Sequence, residues 1–169
     1  MDALSSPTPP TELLRAYAGQ ARVRVCGLLV REGTLLLTAH RGLLPDGLPF
    51  WSPPGGGWQF GETLHDCLRR EFAEETNLFV TVGRFLHLHE YQGPGLQALE
   101  LFFEVLPLDA TAMPHLGRDP EHGSDDQLLT QLEFMNPRQL GQLPPRQVHP
   151  VLRDLISPDD VFIPQIRFQ

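Results

Sequence analysis

The chain has 169 residues, of which 41% are apolar and 20% charged, the length and usage of one ordinary globular domain rather than of a fibrous or wholly disordered chain. Its formal charge of −8 comes from 21 acids against 13 bases, every base an arginine, and this balance speaks against a nucleic-acid partner, which clustered cations would hold. An acidic protein that works on phosphate compounds needs a divalent cation to bring the like charges together.

Cys26 and Cys67 each sit inside an apolar pattern, and no CxxC or Cys/His ligand spacing is present, so a reducing cytoplasm is the expected compartment. The first residues lack the basic and apolar regions of a secretory leader, and no run approaches the ~18 apolar residues of a membrane span. No membrane partner is expected.

Three segments are expected: an N-terminal arm over 1–21, Pro-rich between Ser6 and Pro10, a folded unit over 22–156, and a C-terminal tail over 157–169. The unit opens with β-branched and apolar residues from Arg22 to Arg31, which Glu32-Gly33 turns into Thr34–Ala39, a β-hairpin pattern. From Arg41 to Gly57 the sequence is Gly- and Pro-rich, too irregular for an element, with Phe50, Trp51, Trp58 and Phe60 in or beside it. Between Glu62 and Thr76 neither Gly nor Pro occurs, and Leu64, Cys67, Leu68 and Phe72 follow helical spacing. Phe79–Tyr91 and Leu96–Leu106 read as two strands paired antiparallel about Gln92-Gly93-Pro94-Gly95. A loop over 110–126, a short strand at Leu128–Phe134, helical material after Asn136-Pro137 and a weaker helix from Arg146 to Ile156 complete the unit. The apolar tail Val161–Phe168 is expected to pair with a sheet edge or a second subunit.

At about 100° per residue the first helix places Leu64, Cys67 and Leu68 in one sector, and Glu71 and Glu75 fall in that same sector with Glu74 beside them. Asp66, Arg69, Arg70 and Ala73 take the opposite face. The inward stripe thus turns from apolar to carboxylate, which a solvated face would not do. Three like charges within one turn destabilise a helix unless a cation sits among them, and hard oxygen ligands point to Mg²⁺ or Mn²⁺. Upstream, Pro53-Pro54-Gly55-Gly56-Gly57 offers a stretch without bulky side chains where backbone can approach a phosphate or a metal closely.

Taken together, Gly56, Glu62, Arg70, Glu71, Phe72, Glu74, Glu75 and Leu78 match the pattern G-x5-E-x7-R-E-U-x-E-E-x-G-U, where U is apolar. This resembles the Nudix box, and chance agreement in a chain of this length is on the order of once in a million. One position departs: Asn77 stands where the family has Gly, at a helix end that wants a left-handed residue, for which Asn is next best.

The resemblance implies an α/β fold, an α/β/α sandwich around a mixed β-sheet, that hydrolyses a nucleoside diphosphate linked to another moiety with Mg²⁺ or Mn²⁺ as cofactor. It makes Glu71, Glu74 and Glu75 metal ligands with the Gly55 carbonyl a further one, and Glu62 with Arg70 an orienting salt bridge. Glu71 and Glu75 carry the catalytic step in this reading. The general base is left between Glu71 and a carboxylate of the loop 118–126, Glu121 first among these. Homodimers are common in the family, so a second copy is an expected partner beside the small-molecule nucleotide.

Pro94, sixteen positions after Leu78, resembles the marker proline of ADP-ribose pyrophosphatases, although Gly93-Pro94-Gly95 would turn a hairpin in any protein. Candidate substrate contacts are Arg41 for a phosphate, Trp51 and Trp58 for stacking a base, and the backbone of Gly56 and Gly57. His87 and His89 share a strand face but find no third ligand at suitable spacing, so they read as structural residues or substrate contacts. Alternatives are a nucleoside triphosphate or dinucleoside polyphosphate hydrolase, and a sensor that binds a nucleotide without cleaving it.

Overall fold

Two β-sheets share the core of this computed structural model, which describes residues 19–93, 96–117 and 128–168. In the first sheet β1 (Gln20–Leu28) lies between β5 (Gly55–Gly57), to which it is antiparallel, and β7 (Leu96–Pro107), to which it is parallel. β6 (Val80–Gly93) pairs antiparallel with β7, and its outer edge takes β9 (Gln165–Arg167) in parallel. The second sheet centres on β3 (Thr34–His40), flanked by β2 (Val30–Arg31), β4 (Phe50–Ser52) and β8 (Leu129–Met135).

The expected α/β class and mixed sheet hold, and the strands at 80–107 and 129–135 fall where the sequence places them. The hairpin at Glu32-Gly33 is shorter than expected. Both turn residues have positive φ, 49° and 75°, as a two-residue turn between right-twisted strands requires, but only Val30–Arg31 pairs back onto β3. The rest of that run, β1, leaves for the other sheet, where parallel pairing with β7 covers it from Gln20 to Leu28.

The stretch 41–57 is also more ordered than expected. It contains β4 and the glycine strand β5, whose conformation comes from pairing with β1, Cys26 opposite Gly55 and Arg24 opposite Gly57, rather than from strand propensity.

Helix α1 (Leu64–Thr76) packs Cys67, Leu68 and Phe72 on Val25, Leu29, Leu36 and Phe103. Alternate residues of the same strands, among them Cys26, Leu28, Leu35 and Leu37, face a second core with Val148, Val151, Leu152 and Val161. Central strands buried on both faces lose the apolar/polar alternation, which is why Thr34–Ala39 reads as a continuous apolar run.

The weaker helix expected from Arg146 to Ile156 is instead two 3-10 turns, Pro145–Gln147 and Pro150–Leu152, after a four-residue helix α2 (Pro137–Leu140). Proline at the start of each turn supplies a fixed φ but no N–H, so no continuous α-helix crosses positions 145 and 150. The layer opposite α1 is therefore built of short turns. Beyond residue 156 the chain remains part of the fold: Val161 is 1% exposed and β9 completes the sheet edge as expected. Residues 20 and 21, assigned to the N-terminal arm, belong to β1. Among the described residues no helix is long and apolar enough to cross a membrane.

Candidate active site

The site begins at the two ends of α1. Thr63 caps the first turn, its Oγ1 accepting from the Asp66 amide at 3.1 Å. Asn77 ends the last turn with φ 56°, its amide donating to the Ala73 carbonyl at 2.9 Å and its side chain to the His115 carbonyl at 3.0 Å. Asparagine therefore fills the left-handed position in the family's glycine place.

Between these ends the wheel prediction holds for the carboxylates. Glu75 is 8% exposed, and its Oε2 accepts from the Gly55 amide at 2.8 Å. Gly55 itself has φ 147°, and a Cβ there would lie 2.2 Å from the Val25 carbonyl oxygen, so only glycine admits the contact. A Cβ on Gly56 would lie 2.3 Å from the Glu71 carboxyl carbon. The glycine run thus makes room for the helix carboxylates, with Gly56 paired to Val25 of β1 while the Gly55 amide turns to Glu75. Gly56 and Gly57, expected as phosphate contacts, lie in β5, opposite Val25 and Arg24 of β1.

Arg70 does not keep to the outer face. Its Nε and Nη2 donate to Glu62 at 3.2 and 2.9 Å, Nη1 donates to Glu71 at 2.7 Å and Glu74 at 3.2 Å, and Nη2 also reaches the Gly57 carbonyl at 3.3 Å. One guanidinium therefore gathers three carboxylates, and its hydrogen bonds hold the Glu62 carboxyl below the usual range. Glu71 moves the other way, because burial raises its proton affinity by more than Arg70 lowers it.

Glu71, Glu74 and Glu75, three carboxylates within one turn and partly withdrawn from water, the first two held by Arg70 and the third by the Gly55 amide, are a hard-oxygen set suited to Mg²⁺ or Mn²⁺. The Gly55 carbonyl accepts from Arg24 Nη2 at 3.1 Å and retains a second lone pair for such an ion. Glu121 lies outside the described residues. Cys67 is turned to the glycine strand, its Sγ donating to the Gly57 carbonyl at 3.5 Å, and burial pushes its thiol up to about 12.

Arg24 joins this cluster to a neighbouring cavity of about 360 Å³, because its Nη1 donates to Glu100 Oε1 at 3.1 Å. Arg22, Arg146 and Arg153 line the cavity with it, as do Phe50 and Tyr91. Glu100, 5% exposed, also takes His89 Nδ1 at 3.0 Å and His149 Nε2 at 2.7 Å on its other oxygen. In composition and spacing these three could hold a metal ion, their ligand atoms lying within 4.8 Å of one another. The sequence reading missed the third partner because His149 lies on a loop far from both strands. Its signal was Glu100, an acid flanked by Leu99 and Leu101 within an apolar strand.

The expected substrate contacts scatter. Trp51 is 4% exposed inside the core, so it has no face for a base to stack on. Trp58 is 48% exposed and its indole donates to the Glu62 carbonyl at 2.9 Å, beside the box. Arg41 follows β3 and does not line the cavity. His87 is structural: its Nε2 donates to the Val161 carbonyl at 2.5 Å and ties the C-terminal segment to β6.

A family model described as the NUDIX domain matches residues 20–156, and the chain belongs to that family. Solved structures agree on the fold. A NUDIX hydrolase from Nitrosomonas europaea is 16% identical with a TM-score of 0.60, over 79% of this chain and 84% of that one. A MutT NUDIX hydrolase from Burkholderia pseudomallei is 21% identical with a TM-score of 0.57, over 77% and 92%. The E. coli ORF135 protein is 22% identical with a TM-score of 0.57, over 77% and 81%. The chain is thus a Nudix hydrolase, of a family that acts on small-molecule nucleotides and generally uses divalent metals.

Proposed function

We propose that this chain is a divalent-metal-dependent pyrophosphohydrolase that cleaves a nucleoside diphosphate linked to another moiety, most specifically a nucleotide sugar of ADP-ribose type, in the cytoplasm. The observation that carries the reaction is the packing of Glu75 against the Gly55 amide and of Glu71 against Gly56, with Arg70 tying Glu71, Glu74 and Glu62 together. The sugar reading is supported by the placing of Pro94 in the sequence and by a cavity that offers arginines for phosphate and aromatic rings for a base.

Glu71, Glu74 and Glu75 would hold Mg²⁺ or Mn²⁺, with the Gly55 carbonyl beside them. When bound, such an ion neutralises the pyrophosphate and lowers the pKa of an attacking water. The chain's own part is orientation. Gly55 fixes the Glu75 carboxylate through its amide, the missing Cβ of Gly56 lets Glu71 approach the sheet, and Arg70 relieves repulsion between Glu71 and Glu74. Glu71, whose proton affinity burial has raised, is the box candidate for accepting a proton from water, and Glu121 is the loop candidate.

Turnover of ADP-ribose with and without a chelator tests this reading. Hydrolysis abolished by EDTA and restored by Mg²⁺ or Mn²⁺ supports it, whereas chelator-insensitive turnover contradicts it. Tight nucleotide binding without any turnover across nucleotide sugars, nucleoside triphosphates and dinucleoside polyphosphates would point to the non-catalytic sensor.

A further inference from the structure

The cavity beside the box contains a hydrogen-bond chain whose polarity can be worked out atom by atom. Glu100 is ionised: burial alone would raise its pKa, but His149, His89 and Arg24 together hold it well below the usual carboxylate value. An ionised carboxylate only accepts, so each ring nitrogen that meets Oε2 carries a proton. For His149 that nitrogen is Nε2. Its Nδ1 accepts from the Val151 amide at 3.2 Å, and the ring is therefore a neutral tautomer with both nitrogens committed. For His89 the donor is Nδ1. Its Nε2 remains the ring's uncommitted nitrogen among the described residues, on a side chain that lines the cavity.

This polarity argues against a metal ion held by His89, Glu100 and His149. Binding through His149 Nε2 would require a proton on Nδ1, which would then face the Val151 N–H donor to donor. Arg22, Arg24, Arg146 and Arg153 also line the cavity and repel a cation while attracting anionic groups.

We propose that His89 determines specificity in this cavity: its Nε2 accepts a hydrogen bond from a hydroxyl or amino group on the uncleaved part of a phosphorylated ligand. The arginines hold that ligand's anionic groups. Glu100 and His149 are positioning residues. β6 and β7 set His89 directly opposite Glu100 in the ladder, and Arg24 and His149 fix the Glu100 carboxylate from two sides, so the ring cannot turn without losing its bond to a buried charge. The inference rests on the hydrolase reading for the kind of ligand, and its test is made on binding rather than turnover.

Two variants separate the nitrogens of His89. The Asn amide stands in for Nδ1, so His89→Asn keeps a donor for Glu100 and removes the cavity acceptor. The Gln amide oxygen reaches towards the position of Nε2, so His89→Gln restores an acceptor. Calorimetry with AMP, GMP, CMP, UMP and ribose 5-phosphate, in EDTA, identifies the tightest binder. That probe is then compared with analogues lacking one donor: the 2′-hydroxyl, the 3′-hydroxyl or, for a base, its exocyclic amine.

In the wild type, loss of one particular donor is expected to weaken binding about tenfold or more, which also says whether sugar or base is read. His89→Asn is expected to reduce that discrimination below about threefold, and His89→Gln to recover part of it. Discrimination that is unchanged in His89→Asn, or no measurable binding of any probe, overturns the proposal. So does stoichiometric Zn²⁺ binding that survives Glu75→Gln and is lost in His89→Asn, which would make the cluster a metal site. Hydrolysis that proceeds normally while discrimination ignores His89 refutes this inference alone. His89-dependent discrimination without hydrolysis refutes the hydrolase reading alone.

Discussion

The Glu71 carboxylate occupies the space that a side chain at position 56 would fill, with the carboxyl carbon 2.3 Å from where a Cβ would stand. A methyl group there must push Glu71 away, because the backbone of Gly56 is fixed by pairing with Val25. Gly56→Ala is therefore expected to displace a box carboxylate while leaving the fold intact. A misplacement near 1 Å costs about 10²-fold in rate. Steady-state hydrolysis together with circular dichroism checks this. An unchanged rate would show that Glu71 has room to yield.

Arg70 meets Glu62 with two of its nitrogens and touches Glu71 and Glu74 with a third. Lysine keeps the charge but cannot form the fork. Because Arg70 and Glu62 retain 27% and 18% side-chain exposure, the pair is partly screened, and Arg70→Lys is expected to cost about 1 kcal/mol. Saturating Mg²⁺ should narrow that difference, since the cation takes over part of the neutralisation. Melting curves in EDTA and in Mg²⁺ read both effects.

The buried Glu100 chain makes acid destabilising in two ways. The Glu100 pKa is depressed in the fold, so its contribution is present above the unfolded value of about 4.3 and is lost as pH falls through the folded value. Burial lowers the His149 pKa too, so the unfolded chain takes up that proton first as pH drops below about 6.5. Stability should fall from pH 7 towards pH 4, and His149→Gln should flatten the upper part of that slope. Urea titrations across the range test it. A slope unaltered by the substitution would remove His149 from the account.

Asn77 is in the left-handed region with φ 56°. Asn77→Ala should cost about 1 kcal/mol from backbone strain, plus the bond to the His115 carbonyl. Asn77→Gly relieves the strain and loses only that bond, so it should be near neutral. Equal losses in the two variants, measured by denaturant unfolding, would mean that the side-chain bond dominates.

What the sequence made legible is local. The carboxylate stripe of α1 follows from the helical period, and Glu75 is buried where the wheel puts it. The strands β6 and β7 are adjacent in sequence, with Gly93 opposite Leu96, so their pairing could be read. What stayed hidden depends on distant partners. β1 finds β7 across more than seventy residues, the three glycines become a strand only because β1 lies beside them, and Arg70 leaves its expected face to reach Glu62. Trp51 looked like a stacking platform until the second core closed over it. His149 meets Glu100 only because it is set between two turns that start at prolines, Pro145–Gln147 and Pro150–Leu152.

The most direct test of the central claim is product-resolved chromatography of ADP-ribose, other nucleotide sugars, nucleoside triphosphates, diadenosine polyphosphates and NADH, each incubated with Mg²⁺ or Mn²⁺ and wild type or Glu75→Gln. The account predicts metal-dependent cleavage of a nucleoside diphosphate derivative to a nucleoside monophosphate and a phosphorylated partner, AMP and ribose 5-phosphate from ADP-ribose, abolished by the substitution. Cleavage that persists in a folded Glu75→Gln variant, or no turnover of any compound by the wild type, would contradict it.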